Sequence, residues 1–397
     1  MAGERSDWRL SRRRLLQGLG AAGLLATARG FPALAAAGPI RVGALLPLSG
    51  DADAIARQMR IGIETAVAEI NGTGGILGQQ IEVAWRDSQA APAVLPELCR
   101  ELIDGWGAVA IVGPWVAAGR RYPNQVLAEL GVPQLYAANH EGDYCHPHLF
   151  VLGPTTAQDG RVLVQHLARA GAGKAYFMLG SYPSWQNAMF RQLRFVIGPL
   201  GGRVTGQALT DVGERNFRPI IRWIQETGAE LVLFCVLRQN GQAFIHQAHE
   251  LGLLERITVG WIGFNETLLE GLSGPELAPI VTASTFAATD PQPGIAEFVA
   301  RVRRQHGQDV RVSYFAMTHY NAIRALQAAW QKAGEPSAKA ALAALPGLTF
   351  EGPSGPITID RANQHAVMKV VIARGGPRGL EVIERLGPIV PEPGCVA

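Results

Sequence analysis

Cysteine is scarce here. Four cysteines, at 99, 145, 235 and 395, are spread over 397 residues with no Cys-x-x-Cys pair. That spacing leaves no dithiol motif. An even count in an exported chain permits disulfides, but a core this large does not need them, and no bridge is assigned. Cys99 and Cys235 sit in apolar helix-like and strand-like settings and read as small buried residues. Past the first forty residues there is no run of about twenty apolar residues, the length needed to cross a bilayer. No strand-like segment is followed by Gly-x-Gly-x-x-Gly or Gly-x-x-x-x-Gly-Lys-Ser/Thr, so a phosphate cradle is missing. Nor is there a Gly-x-Ser-x-Gly elbow, and neither an activated nucleophile nor a carboxylate pair is visible. Nucleotide-dependent and hydrolytic enzymes therefore have little to start from.

What is present begins with an export signal. Arg12, Arg13 and Arg14 precede a modest apolar stretch from Leu15 to Ala28, and small residues follow at 33–37. A basic start, a short apolar run and a small-residue cleavage site are the marks of a signal peptide over residues 1–37. Ser-Arg-Arg-Arg-Leu-Leu resembles a twin-arginine address. No cysteine follows the cleavage region, which argues against a lipid anchor. Removing the signal takes six arginines and two acids from totals of 36 and 33, leaving 30 basic against 31 acidic residues. The working chain thus has no basic field for nucleic acid or anionic membrane.

From Pro39 onward short apolar runs alternate with amphipathic helices. "IRVGALLPL", "QIEVAWRDS", "AVAIVGP" and "VPQLYA" read as strands, as do "KAYFMLGS", "ELVLFCVL", "ITVGWIG" and "IVTASTF". Helical patterns separate many of them, which implies parallel sheets with right-handed crossovers. Ligands in such sheets bind at the carboxyl ends of strands, so the residues just after each strand matter most. At this length two or three lobes are expected.

One stretch suggests a metal. "NHEGDYCHPH" holds His140, Glu141, Cys145, His146 and His148. Zinc needs three or four ligands converging in a tetrahedron. Closely spaced residues on an irregular segment do not readily converge, and no metal is assigned.

Three segments carry a family resemblance: "IRVGALLPLSG", "AVAEINGTGGILGQQIEVAWRDSQAAP" and "RNFRPIIRWI". They resemble solute receptors of the branched-chain amino acid type. In the second, Gly74-Gly75 and Gly78 permit the tight turn from helix to strand. "YAANHEGDYCHP" and "GPSGPITIDRANQHAVMKVVIARG" are similar to the amide- and urea-receptor branch of that family. The resemblance runs from about Ile40 to Pro393.

The resemblance implies an α/β protein of two doubly wound parallel-sheet lobes joined by three hinge strands, the type I periplasmic-binding fold. Lobe one would hold 39–155 and 285–348, and lobe two 156–284 and 349–397, with crossovers near Gly153-Pro154, Ser284-Thr285 and Gly352-Pro353. It further implies a periplasmic receptor that delivers its ligand to an ABC permease, or a sensor on the same fold. Neither enzyme activity, cofactor nor nucleic acid is expected, and the state is a monomer or weak dimer.

Carried over residue by residue, the family's cleft positions fall in short segments. Ser49, Gly50 and Asp51 follow the first strand. Trp115, Val116 and Ala117 follow the third, and Tyr136, Ala137, Ala138, Asn139 and His140 end or follow the fourth. The second lobe supplies Ser181, Tyr182, Trp185, Arg238, Gln239, Phe264 and Asn265. The family commonly has hydroxyl residues where Ala117, Ala138 and Phe264 stand. In exchange the cleft gains aromatic residues at Trp115, Tyr136, Trp185 and Phe264. Aromatic walls with few polar groups suit a flat, amide-like, urea-like or aromatic ligand. A branched-chain amino acid is the alternative.

Overall fold

Two sheets organise the computed structural model. It describes residues 38–397 except Tyr182, Leu237, Pro393, Gly394, Val396 and Ala397, and except the side chains of Asp51, Pro183, Ser184, Trp185, Arg238 and Gln239. The export segment 1–37 lies outside the described residues. The first sheet contains β1 (Ile40–Leu46), β2 (Ile81–Asp87), β3 (Ala110–Val112), β4 (Gln134–Tyr136) and β5 (Leu149–Val151), all parallel, in the order β2-β1-β3-β4-β5. The second has a parallel centre of β6 (Ala175–Gly180), β7 (Arg203–Leu209), β8 (Leu231–Cys235), β9 (Thr258–Trp261) and β10 (Ile280–Ser284). Antiparallel strands β11 (Thr349–Gly352), β12 (Gly355–Ile359), β13 (Ala366–Gly376) and β14 (Gly379–Ile389) extend it beyond β10. Both sheets are α/β layers with helices on each face, which is why their central strands read as unbroken apolar runs.

On one face of the first sheet the helices Asp53–Gly72 and Tyr314–Ala333 bury Ile63, Ala66, Ala316 and Ile323 against Val42, Val112 and Leu135. The two helices meet at backbone distance, since a Cβ on Gly62 would lie 2.1 Å from the Ala316 carbonyl oxygen. The other face is covered by Leu95–Arg100 and Asn124–Leu130, with the buried thiol of Cys99 among them. In the second sheet, helices Arg218–Glu226 and Arg238–Glu250 cover one face, and Val162–Arg169 and Pro183–Ile197 the other.

The chain passes between the two sheets after β5, after β10 and before β11. The expected boundary at residue 349 falls inside a shared region. The β11–β12 hairpin is hydrogen-bonded into the second sheet, yet Phe350, Ile357 and Ile359 pack in the first core. β13 divides similarly: Ala366 and Met368 belong to the first core, Val370 and Ile372 to the second.

The cysteines require a correction. Cys145 and Cys395, 250 residues apart, form a disulfide. The end of β14 and the segment after it are led to it by hydrogen bonds, with Gln158 Nε2 donating to the Ile389 carbonyl (2.9 Å) and Thr155 Oγ1 to the Pro391 carbonyl (3.1 Å). The bridge then fastens the tail to the segment after β4. Nothing in the local sequence encodes a pairing at this separation. Cys99 and Cys235 are free and buried.

Candidate functional site

A cavity of about 450 Å³ lies where the carboxyl ends of the two parallel sheets face each other. Trp115, Val116 and Ala117 after β3 and Asn139 after β4 line one wall, with Tyr314 and Phe315 from the start of a helix. Val236 after β8, the end of β9 at Trp261, and the following Ile262 and Leu268 line the other. The lining is mainly apolar. Among the described residues no Arg, Lys or His lines it, and Glu270 is its one charged side chain.

Three long helices begin at this cavity. Ala54 and Ile55 belong to the first turn of Asp53–Gly72, Tyr314 and Phe315 to that of Tyr314–Ala333, and Val236 and Gln242 flank the start of Arg238–Glu250. Free N–H groups and the macrodipole make helix starts favourable for negative charge.

The expected site residues separate into groups. Trp115, Val116, Ala117, Asn139 and Asn265 line the cavity. Ser49 is exposed and lies outside it. Tyr136 is fully buried behind the wall, where its hydroxyl donates to the Trp115 carbonyl (2.8 Å) and so ties the β3 and β4 loops together. Ala138 is buried at the crossover, and a Cβ on Gly153 would lie 2.0 Å from its carbonyl oxygen. Phe264 is also buried, its ring 4.8 Å from that of Trp261. Ser181 is buried and does not line the cavity. Tyr182 and the side chains of Trp185, Arg238 and Gln239 lie outside the described residues.

Two polar candidates serve the scaffold. Asn265 Oδ1 accepts from Thr267 N–H (3.1 Å) and Thr267 Oγ1 (2.7 Å), and its Nδ2 donates to the Gly263 carbonyl (3.0 Å), closing the turn after β9. His140 is wholly buried, packed between Tyr136 and His365, and its Nδ1 accepts from the Gly142 N–H (3.0 Å). Burial and the nearby Arg120 hold its pKa well below the usual histidine range. Glu141 pairs with the buried Arg120. Among the described residues no cluster of His, Cys, Asp or Glu has metal-site geometry.

Trp261, Tyr314, Phe315 and Gln242 line the cavity although reasoning from strand ends did not select them. Tyr314 and Phe315 sit at a helix start, after Ser313, which stands at the N-cap position. An N-cap serine before an aromatic pair is a signal the sequence did contain.

Two buried carboxyls stand near Tyr314. Asp159 accepts from Asn139 Nδ2 (2.9 Å), and Glu266 Oε1 accepts from the Ala288 N–H (2.8 Å). Burial pushes both up to about 7, against the hydrogen bonds they receive. Unfolded carboxyls titrate near 4. Between these values the folded state holds protons that the unfolded state has released, so stability falls as pH rises from about 4 through 7. Buried His319 and His365, pushed down to about 4 from an ordinary value near 6.5, act in the opposite sense between those values. The check is therefore differential. Glu266→Gln is expected to gain melting temperature relative to the parent by a few degrees between pH 5.5 and pH 8. A pH-independent difference would remove Glu266 from this account.

Comparison with known proteins gives consistent relatives. A family model for periplasmic binding proteins matches residues 39–379. The chain is 24% identical over 315 residues to "Leu/Ile/Val-binding protein homolog 3" of Brucella melitensis biotype 1, covering 78% of this chain and 84% of that protein. A solute-binding protein of an ABC transporter from Rhodopseudomonas palustris BisB5, crystallised with 3,4-dihydroxybenzoic acid, matches with a TM-score of 0.81 and 21% identity over 89% of this chain and 99% of that one. The closed form of a leucine-, isoleucine-, valine-, threonine- and alanine-binding protein from Brucella ovis matches with a TM-score of 0.79 and 15% identity, over 88% and 95% of the two chains.

Proposed function

This chain belongs to the periplasmic binding protein family, and from that premise we propose that it is the receptor of an ABC uptake system for a small aromatic acid. As a family member it is a solute-binding receptor rather than an enzyme. The observation that carries the ligand reading is the cavity itself. Its walls are apolar and aromatic, and three helix starts converge on it. A flat ring suits the Trp115 side, and a carboxylate suits the starts of helices Asp53–Gly72 and Arg238–Glu250, away from Tyr314. Trp115, Val116, Ala117 and Asn139 are the contacts we assign to lobe one, and Trp261 and Ile262 to lobe two. Closure of the lobes over the ligand would complete the site. The Rhodopseudomonas palustris relative, crystallised with a dihydroxybenzoic acid, supports this reading. Amide- and urea-like ligands fit the same flat slot and belong in the same screen.

Calorimetry on the purified mature chain against aromatic acids, amides, urea, leucine and valine tests the reading. Aromatic acids are expected to bind, with aliphatic amino acids far weaker. Tight leucine or valine binding without aromatic binding would replace it with the amino acid receptor suggested by the Brucella relatives.

The family places the protein in the periplasm, and we assign export to the twin-arginine route. Lysine keeps the charge of arginine but not its planar guanidinium. Replacing Arg12, Arg13 and Arg14 with lysine is expected to leave unprocessed precursor in the cytoplasm, visible as a larger band in fractionated cells. Normal processing of that variant rules the route out.

A further inference from the structure

Hydrogen bonds at the end of the cavity nearest the crossover all run in one direction. The Asp159 carboxylate accepts from Asn139 Nδ2 (2.9 Å) and from the Gly160 N–H (2.5 Å). An ionised carboxylate has no proton to give, so it fixes the Asn139 amide with its NH₂ toward Asp159. Asn139 Oδ1 then receives the Tyr314 hydroxyl proton (2.5 Å). That proton is committed, and the Tyr314 oxygen is left with lone pairs alone. Asn139 retains one N–H with no partner among the described residues. Both residues line the cavity, so its wall carries one fixed donor beside one fixed acceptor.

We propose that Asn139 and Tyr314 select the group at the end of the ligand remote from its carboxylate, and that this group is neutral and both donates and accepts, as a ring hydroxyl or a primary carboxamide does. The inference rests on the aromatic-acid reading above. A hydroxyl oxygen accepts from Asn139 N–H while its own proton goes to the Tyr314 oxygen. A carboxamide does the same with its C=O and NH₂. A carboxylate has no proton for Tyr314 and would set lone pair against lone pair. Asp159 and Glu266 both lie close enough to act on Tyr314, and their charge opposes a second anion there. An unsubstituted ring leaves both wall groups unpaired, which is the arrangement that gives large discrimination. Tyr314 and Asn139 contact the ligand in this scheme, and Asp159 is a positioning residue that holds the amide the right way round.

The experiment is calorimetry at pH 8, where Asp159 is ionised, with benzoate, its 3- and 4-hydroxy and 4-carbamoyl derivatives, and benzene-1,4-dicarboxylate. The best hydroxy or carbamoyl acid is expected to bind at least about 10-fold tighter than benzoate, and the dicarboxylate no tighter than benzoate. Tyr314→Phe should reduce that preference to within about twofold. Asp159→Asn should also collapse it, although it removes no ligand contact. Substituted acids that bind the parent no tighter than benzoate overturn the inference but keep the aromatic-acid receptor. So does a dicarboxylate that matches the hydroxy acid, or a preference that survives Tyr314→Phe. Binding of none of the five acids overturns that receptor reading and this inference with it.

Discussion

Replacing Cys145 and Cys395 together with serine is expected to lower the melting temperature by roughly 5–10 °C, the largest stability change foreseen for any surface-neutral substitution here. The bridge joins residues 250 positions apart. Cross-linking removes conformations from the unfolded chain, and the entropy removed grows with the logarithm of the closed loop. For a loop of this length the chain-entropy model gives about 5 kcal/mol, and native disulfides commonly contribute about 2–5. The folded chain has a second reason to need the bridge. Among the described residues the segment after β14 is held chiefly by Thr155 to the Pro391 carbonyl and by the exposed pair Arg161–Glu392, with Gln158 gripping the Ile389 carbonyl at the strand's end. Without the sulfur link its end frays, and Gln158 and Thr155 lose partners at a buried crossover. Reduction of the parent with dithiothreitol should reproduce the shift. A melting temperature within about a degree of the parent, in both the serine variant and the reduced protein, would show that the tail is already fully held without it.

The second large effect concerns the ligand. Trp115→Ala is expected to weaken binding of an aromatic acid by about 10- to 100-fold, in the range of a buried tryptophan anchor. The unliganded protein should lose less stability than truncating a fully buried tryptophan costs, since the indole is only half-buried. The reason lies in how the loop is held. Tyr136 bonds the backbone carbonyl of Trp115, so truncating the side chain leaves that bond in place. The indole itself is only half-buried and packs on the edge of the first core. What disappears is one wall of the cavity. Calorimetry with the best aromatic ligand from the screen measures the effect, and unchanged affinity would move the ring to the Trp261 side.

Much of the architecture was legible because strands buried on both faces announce themselves as apolar runs. β1 to β4, β6 and β8 to β10 all fall within segments read from sequence. β5, no shorter than β3 and β4, directly follows the Cys-His-Pro-His stretch, and β7 has no fully buried position, so neither stands out. The site was legible by position but not by direction. The family's cleft positions, carried over, fall just after strand ends, and of those Trp115, Ala117 and Asn139 line the cavity. Such a position does not say which way a side chain turns. His140 points into the core toward His365, and Asn265 folds back onto its own turn. Tyr314 and Phe315 come from a helix start in the segment 285–348, a distant stretch that only the three-dimensional fold brings to the cavity. Asp159 lies in an unremarkable Thr-Thr-Ala-Gln-Asp-Gly run and acquires its role from Asn139 alone. The disulfide was invisible for a combinatorial reason, since four cysteines allow three pairings and none is favoured by spacing.

β13 gives the molecule a particular mechanical layout. Its first residues are anchored in one core and its later ones in the other, and its pairing with β14 shifts register between Lys369 and Val370, at the changeover. An extra residue in one strand softens the ladder and adds local twist. A clamp whose jaws share one continuous beam flexes where that beam is weakest. The notch at Lys369/Val370, with a second at Ile372/Ala373, lies beside the two other passages between the sheets, after β5 and after β10, and a paired strand leaves less freedom than a loose linker would. Such a layout suits a receptor that has one ligand-bound shape to show its permease.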